Sequence, residues 1–307
     1  LDPYTFEVKL AKPAAYFIYL TAFCPSFPQR KDIVERYKDR WTEPENLVTN
    51  GPFKLSYWQH EYKIELTANE KFFEGAPKLK RIKMFMVPEA STAFALYENN
   101  ELDFVDNRSF STPDVERFRH SPQYKNFPLL RAYYLAFNVS KKPFDNADVR
   151  RAFALSIDRK VFPKILRRGE RPTSSWIPPA LGGGGSDSGL DFNPEEGRRL
   201  LARAGYPGGK GFPETKLLYP NREDVRLVVE ATQDEIKRNL GVKVELVNQE
   251  WKVYLATTRK DPPQMFRDSW GADFPDPETF MNLFTRYNGN NHTRWHRAEY
   301  DRLIVAS

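Results

Sequence analysis

Apolar and polar residues alternate from Phe53 to Trp58 and again from Tyr62 to Thr67, with Gln59–Glu61 as a polar turn between them. Period two sends successive side chains to opposite faces, so the two runs predict a half-buried β-hairpin. The breakers Asn50-Gly51-Pro52 mark the turn that precedes it. Alternation at Thr5–Leu10 predicts another strand, and apolar runs predict a buried strand at Ile82–Val87 and a short one at Asp103–Val105. Helices are expected at Lys31–Tyr37 and Thr92–Tyr97.

The second half reads more sharply. A Tyr- and Phe-rich strand is expected at Ala132–Asn138. Asn146 then stands as an N-cap before Val149, Ala152, Phe153, Ile157 and Val161, an apolar stripe at helical spacing. Asn193-Pro194-Glu195-Glu196 combines a cap, Pro at N1 and Glu at N3, and that helix should stop at Gly205. Lys216–Tyr219, Glu223–Leu240 and Val242–Val247 predict strand, helix and strand, which is a right-handed parallel crossover, with Gly241 ending the helix. Met265–Trp270 should join the same sheet, and Tyr300, Leu303 and Ile304 predict an amphipathic final helix. Pro172–Gly189 reads as a long surface loop that includes Gly182-Gly183-Gly184-Gly185-Ser186.

Composition narrows the class without naming a function. The 307 residues are 40% hydrophobic and 29% charged, which excludes a disordered chain and suits one large domain or two to three lobes. No long uninterrupted apolar run encodes a membrane span. One cysteine excludes an internal disulfide framework and a cysteine-rich zinc site. The excess of 47 Lys and Arg over 41 Asp and Glu is small and gives no warrant for nucleic acid as a partner, which needs a clustered basic face. The chain starts within a strand pattern and stops within a helix pattern, with no signal peptide in view, so both ends read as the middle of something longer.

Motifs for catalysis are missing. His292 and His296 have i, i+4 spacing, but Thr293 stands where a metalloprotease needs an acid, and the reading is of surface histidines. There is no phosphate loop, dinucleotide fingerprint or nucleophile elbow. Cys24 lies between Phe23 and Pro25 and reads as a buried small hydrophobe. Asn138-Val139-Ser140 and Asn291-His292-Thr293 match a glycosylation acceptor by chance. No metal or other cofactor is expected. The informative segment is Arg267-Asp268-Ser269-Trp270-Gly271-Ala272-Asp273, at a strand end and in the loop after it. Ligands of open α/β sheets bind outside the carboxyl ends of strands. There Trp270 offers a flat apolar surface, Asp273 an acceptor for an ammonium, and Arg267 a partner for a carboxylate. The alternative is that Asp273 caps the next helix and Trp270 is core.

Several segments, taken in order, resemble one family. They are Leu47-Val48-Thr49-Asn50-Gly51-Pro52-Phe53, Ala136-Phe137-Asn138, Phe144–Ala152, Ala202-Arg203-Ala204-Gly205-Tyr206, Leu246–Trp251 and Ser269-Trp270-Gly271-Ala272-Asp273. The set resembles the extracellular solute-binding protein family 5, the oligopeptide-binding components of ABC importers. The resemblance implies a mixed α/β fold of the type II periplasmic-binding-protein kind, present in part. It implies that residues 1–48 end a small second lobe, 49–130 belong to the first lobe and 131–307 to the third, with a ligand cleft between the first and third. It implies no catalytic residues, an extracytoplasmic or periplasmic monomer, membrane permease subunits as partners, and a lipid anchor carried by a preceding segment.

By the same resemblance Asp273 holds a peptide's α-ammonium, Trp270 lines a side-chain pocket and Arg267 is a cleft residue. Some relatives pair a cysteine after the tryptophan with one near the start of the third lobe. Here Gly271 stands after Trp270 and Arg131 near the other place, so that disulfide is absent. A second arginine expected near residue 258 is displaced or lost, with Thr258-Arg259 standing there, and the carboxylate anchor is read as Arg222 or Arg226 on charge and location. Competing readings are a non-peptide solute (a nickel complex, haem, an opine or an oligosaccharide), a chemosensory ligand reader, and a hydrolase, which no nucleophile–base pair supports.

Overall fold

The computed structural model describes residues 2–106, 109–181 and 189–306, so the Gly182–Ser186 run lies outside the described residues. The chain divides into two units, Leu1–Phe23 with Ser121–Ser307, and Cys24–His120. The first 23 residues contribute one short helix, α1 (Phe17–Leu20). The strand expected at Thr5–Leu10 does not form, and Tyr4 and Phe6 are 98% and 91% exposed. Alternation defines two faces, but a strand also needs a partner for its N–H and C=O groups, and none lies alongside among the described residues.

Within Cys24–His120, α2 (Lys31–Tyr37) precedes the hairpin of β1 (Phe53–Gln59) and β2 (Lys63–Ala68). Their antiparallel register sets Trp58 opposite Ile64 and Leu55 opposite Leu66, with an irregularity between Leu55 and Tyr57. β3 (Arg81–Phe85) adds to β2 as an edge strand. It is not the buried strand its apolar run suggests, since only Ile82 is partly covered. After α3 (Ala90–Glu98), residues 103–105 form no strand. α4 (Thr112–Phe118), which the apolar pattern does not announce, starts at a reciprocal cap between Ser111 and Asp114. Phe94 of α3 is buried with Phe110 and Phe118 edge-on to it at ring distances of 5.1 and 5.0 Å.

The larger unit is built on a four-stranded sheet in the order β4 (Arg131–Phe137), β7 (Met265–Gly271), β5 (Lys216–Pro220), β6 (Glu245–Gln249). β5 runs parallel to β6 and β7, and β4 runs antiparallel to β7. The caps read from sequence hold: Asn146 Oδ1 accepts from the Asp148 N–H at 2.8 Å, and Asn193 Oδ1 from the Glu196 N–H at 3.1 Å. They start α5 (Ala147–Leu155) and α7 (Pro194–Arg203), with α6 (Val161–Leu166) between. α5 ends at Leu155, so Ile157 and Val161 lie beyond it, although Ile157 still joins the core. α8 (Glu223–Leu240) ends at Gly241, whose φ of 73° suits glycine.

β6 begins at Glu245, later than expected, while Val242 and Val244 are buried ahead of it. α9 (Trp251–Lys260) is capped by Glu250, a helix that periodicity alone does not reveal. α10 (Glu278–Met281) and α11 (Ala298–Ala306) follow. α11 turns Asp301 inward and leaves Leu303 59% exposed, contrary to the apolar stripe expected there.

The sheet has two covered faces. On the first, Leu217, Tyr219 and Met265 pack with Phe144, Val149 and Phe153 and with Val225, Val229 and Ile236 of α8. On the second, Ala136, Leu218 and Phe266 pack with Tyr254 of α9. Burial of these side chains, about 1.5–3 kcal/mol each, is what holds the layers together.

Candidate functional site

β5, β6 and β7 are parallel, so their carboxyl ends share one edge, and antiparallel β4 begins there. β5 is in register with β7 only at Leu217–Met265 and Leu218–Phe266. Counting on from there sets Pro220, the last residue of β5, level with Asp268. Ser269–Gly271 therefore run on beyond the end of β5.

The direction of their backbone groups follows from the β4 ladder. The Ala272 N–H bonds to the Leu130 carbonyl at 2.8 Å and the Asn138 N–H to the Gln264 carbonyl at 3.0 Å. Between these anchors the antiparallel alternation turns the even-numbered residues of β7 toward β4 and the odd ones away. The Arg267 carbonyl accepts from the Tyr254 hydroxyl at 2.6 Å, and the Ser269 N–H bonds to Asp268 Oδ1 at 2.7 Å. Among the described residues no strand pairs with the far side of Ser269–Gly271.

Side chains sort by strand alternation. Arg267 and Trp270 are three apart and point to opposite faces of β7. Arg267 lies on the first face, with its guanidinium 4.4 Å from the centre of the Tyr133 ring. Burial lowers its pKa, and Tyr133 and Asp224 oppose that. Arg222, just ahead of α8, grips Asp224 with two bonds of 3.1 and 2.6 Å. Arg168 Nη1 lies 3.8 Å from the same carboxylate. Arg222 and Arg168 are thus brought together around Asp224, whose charge also acts on Arg267, a grouping that spacing along the chain does not reveal. Arg226 is exposed and pairs with Glu230 at 3.1 Å along α8.

Trp270 lies on the second face, half-buried, and its indole N–H donates to the Thr279 carbonyl at 2.8 Å. Its neighbours there include Asp268, whose Oδ2 is 3.5 Å from His292 Nδ1. Trp176 closes this face edge-on to Tyr134 at 4.8 Å and donates to the Phe280 carbonyl at 2.7 Å. Tyr134 is held neutral by burial and by Asp268. Asp273 does not cap α10, whose first residue follows Pro277 with no side-chain cap. Its backbone N–H bonds to Thr279 Oγ1 at 3.3 Å and the residue stays exposed. Partial burial raises the Asp273 pKa, and the Arg131 charge works against that. Trp270 is therefore tied structurally by its N–H, while the Asp273 carboxylate has no hydrogen bond or ion pair among the described residues.

Arg131, the first residue of β4, is the Cα partner of Gly271. The two positions that the resemblance links by a disulfide do face each other, but a guanidinium fills the space. Only the strand register brings this out.

Two further expectations need correction. His292 is buried rather than on the surface, because residues 291–293 form a turn tucked against β7 instead of a helix. Cys24 is exposed rather than buried, since it lies on a one-turn surface helix, Cys24–Ser26. Asn138 and Asn291 are buried and hydrogen-bonded within the fold, which places the chance glycosylation matches in the interior. Among the described residues no group of three or more His, Cys, Asp or Glu is placed to hold a metal, and no helix is long and apolar enough to cross a membrane.

The chain matches the model of "Bacterial extracellular solute-binding proteins, family 5 Middle" over residues 1–292. It is 31% identical to the oligopeptide-binding protein OppA of Bacillus subtilis, over 99% of the chain and 58% of that protein. It superposes on a periplasmic oligopeptide-binding protein of Borrelia burgdorferi with a TM-score of 0.88 at 30% identity, covering 96% of the chain and 60% of that structure. The murein tripeptide binding protein MppA of Escherichia coli gives a TM-score of 0.88 at 29% identity, covering 97% and 60%. The chain spans less than two thirds of the length of these relatives.

Proposed function

The chain belongs to the bacterial extracellular solute-binding proteins of family 5, and from that premise we propose that it serves in the substrate-binding component of an ABC importer, capturing peptides outside the cytoplasm and delivering them to a membrane permease. In this reading residues 131–307 supply the third lobe. The observation that carries it is the far side of Ser269–Gly271, a stretch of strand backbone with no strand beside it among the described residues, two residues before Asp273.

An extended peptide adds to such an edge through its own main chain. Backbone pairing reads no side chains, so one edge accepts many sequences. Orientation then needs charge at the ends. Asp273 takes the α-ammonium as a charge-assisted hydrogen bond. Arg267 and Arg222 take the terminal carboxylate, with Asp224 holding Arg222 ready in its absence. Trp270 supports the strand from the opposite face, so its part is to fix β7 rather than to be read as a polar contact.

Calorimetry on the full-length protein with a tripeptide and its N-acetylated form tests this reading. Removing the ammonium should weaken binding at least about tenfold, the usual scale for losing one partner of a charged hydrogen bond. Equal affinity for both forms, or no binding of any peptide in a broad library, would contradict it.

A further inference from the structure

We propose that Arg131 is a specificity-determining residue that makes this site prefer peptides with an acidic side chain at the first residue. The inference rests on the peptide reading above and goes beyond it by naming a ligand class.

The geometry is local to the start of β4 and the end of β7. Arg131 Nη1 donates to Ser269 Oγ at 3.2 Å. A Cβ built on Gly271 would meet Arg131 Nη2 at 2.7 Å and Cζ at 3.0 Å, so the guanidinium lies across the Gly271 Cα, in space that any larger residue would claim. The cation is thereby pinned over Gly271, whose backbone N–H and C=O, with the Ser269 carbonyl, face away from β4, the Ser269 N–H being taken by Asp268. Asp273 follows two residues later, and the Arg131 charge acts on its carboxyl. The two do not form an ion pair among the described residues, so each keeps hydrogen-bonding capacity for a ligand. Arg131 and Asp273 are both exposed.

A lone carboxylate favours any ammonium. A carboxylate beside a fixed guanidinium is a neutral pair of opposite charges, and its complement is a ligand end that also carries both signs. A peptide whose first residue is Glu or Asp supplies an ammonium for Asp273 and a side-chain carboxylate for Arg131. A peptide that starts with Lys brings a second cation toward the guanidinium and is repelled. Specificity of this kind comes as much from the repelled ligand as from the favoured one.

The experiment uses the full-length protein and three tripeptides, glutamyl-, alanyl- and lysyl-alanyl-alanine, titrated by calorimetry at low and high salt alongside N-acetylated trialanine. The acid-first peptide should bind about tenfold tighter than the lysine-first one at low salt. The ratio should shrink toward about threefold near 1 M salt, where screening reaches contact range. Arg131→Gln should bring the low-salt ratio within about threefold, and Arg131→Lys should restore most of it, with circular dichroism confirming that both variants fold. Equal binding of acid-first and lysine-first peptides by the unmodified protein overturns the proposal, as does a preference that survives Arg131→Gln. If acetylation of trialanine costs nothing, the ammonium role of Asp273 falls and takes this proposal with it. If acetylation costs affinity and the acid-first peptide gains none, the role of Arg131 alone falls.

Discussion

β7 is one strand with two unlike halves. Met265 and Phe266 are fully buried, with β4 on one side, β5 on the other and packed side chains above and below. Arg267–Gly271 keep β4 as a neighbour while β5 ends level with Asp268; they are only half-buried and carry charge, a hydroxyl and one indole. Tyr133, across from Ser269, is 53% exposed. The backbone hardly differs between the halves. What differs is that β5 stops while β7 continues. An unpaired strand edge normally invites aggregation and is blunted by charge. Arg131, Arg267 and Asp273 provide that charge here, and in the proposed function the same groups orient a ligand.

The largest effect should come from breaking the closed half. Phe266→Ala leaves a cavity between β5 and α9 and should cost about 3–5 kcal/mol in denaturant unfolding. Ser269→Ala in the open half should stay within about 0.5 kcal/mol. Next comes Asp273→Asn, which keeps the shape and removes the charge. It should weaken a free tripeptide at least about tenfold while leaving the melting temperature unchanged.

A ligand methylated on the amide that pairs with β7 should lose about 1 kcal/mol, one hydrogen bond, in the same titration. The pH response is smaller and has a definite sign. Asp273 must be ionised to hold an ammonium, and burial raises its pKa above the ordinary 3.8. Affinity should therefore begin to fall, as the solution is acidified, at a higher pH than an unperturbed aspartate would give, and Asp273→Asn should abolish that dependence. Least of all should follow from Arg226→Ala. Arg226 pairs with Glu230 on the outer surface of α8, and its removal should leave peptide affinity within about twofold.

The closed half was legible in the residues and the open half was not. Helices with side-chain caps, at Asn146 and Asn193, and the long α8 ending on Gly241 follow from local chemistry and appear where the pattern puts them. The family resemblance and its fold class are borne out by the match over residues 1–292 and by the solved structures. Thr5–Leu10 alternates as well as β1 does, yet forms no strand, because alternation does not say whether a partner strand is present. Asp273, Trp270 and Arg267 were visible as residue types. That Arg267 and Trp270 face opposite ways, that Asp224 already holds Arg222, and that Arg131 lies over Gly271 are matters of strand pairing between segments far apart in sequence. Where β5 ends relative to β7 belongs to the same class, and it decides which backbone groups are open.

The most direct test of the open edge is amide hydrogen exchange along β7 in the full-length protein, with and without a saturating tripeptide. The Gly271 N–H points away from β4, and the Phe266 N–H points into the ladder. Peptide should slow exchange at Gly271 at least about tenfold, the protection expected of one new hydrogen bond, and leave Phe266 unchanged. Saturation by a peptide with no change at Gly271 would contradict the account.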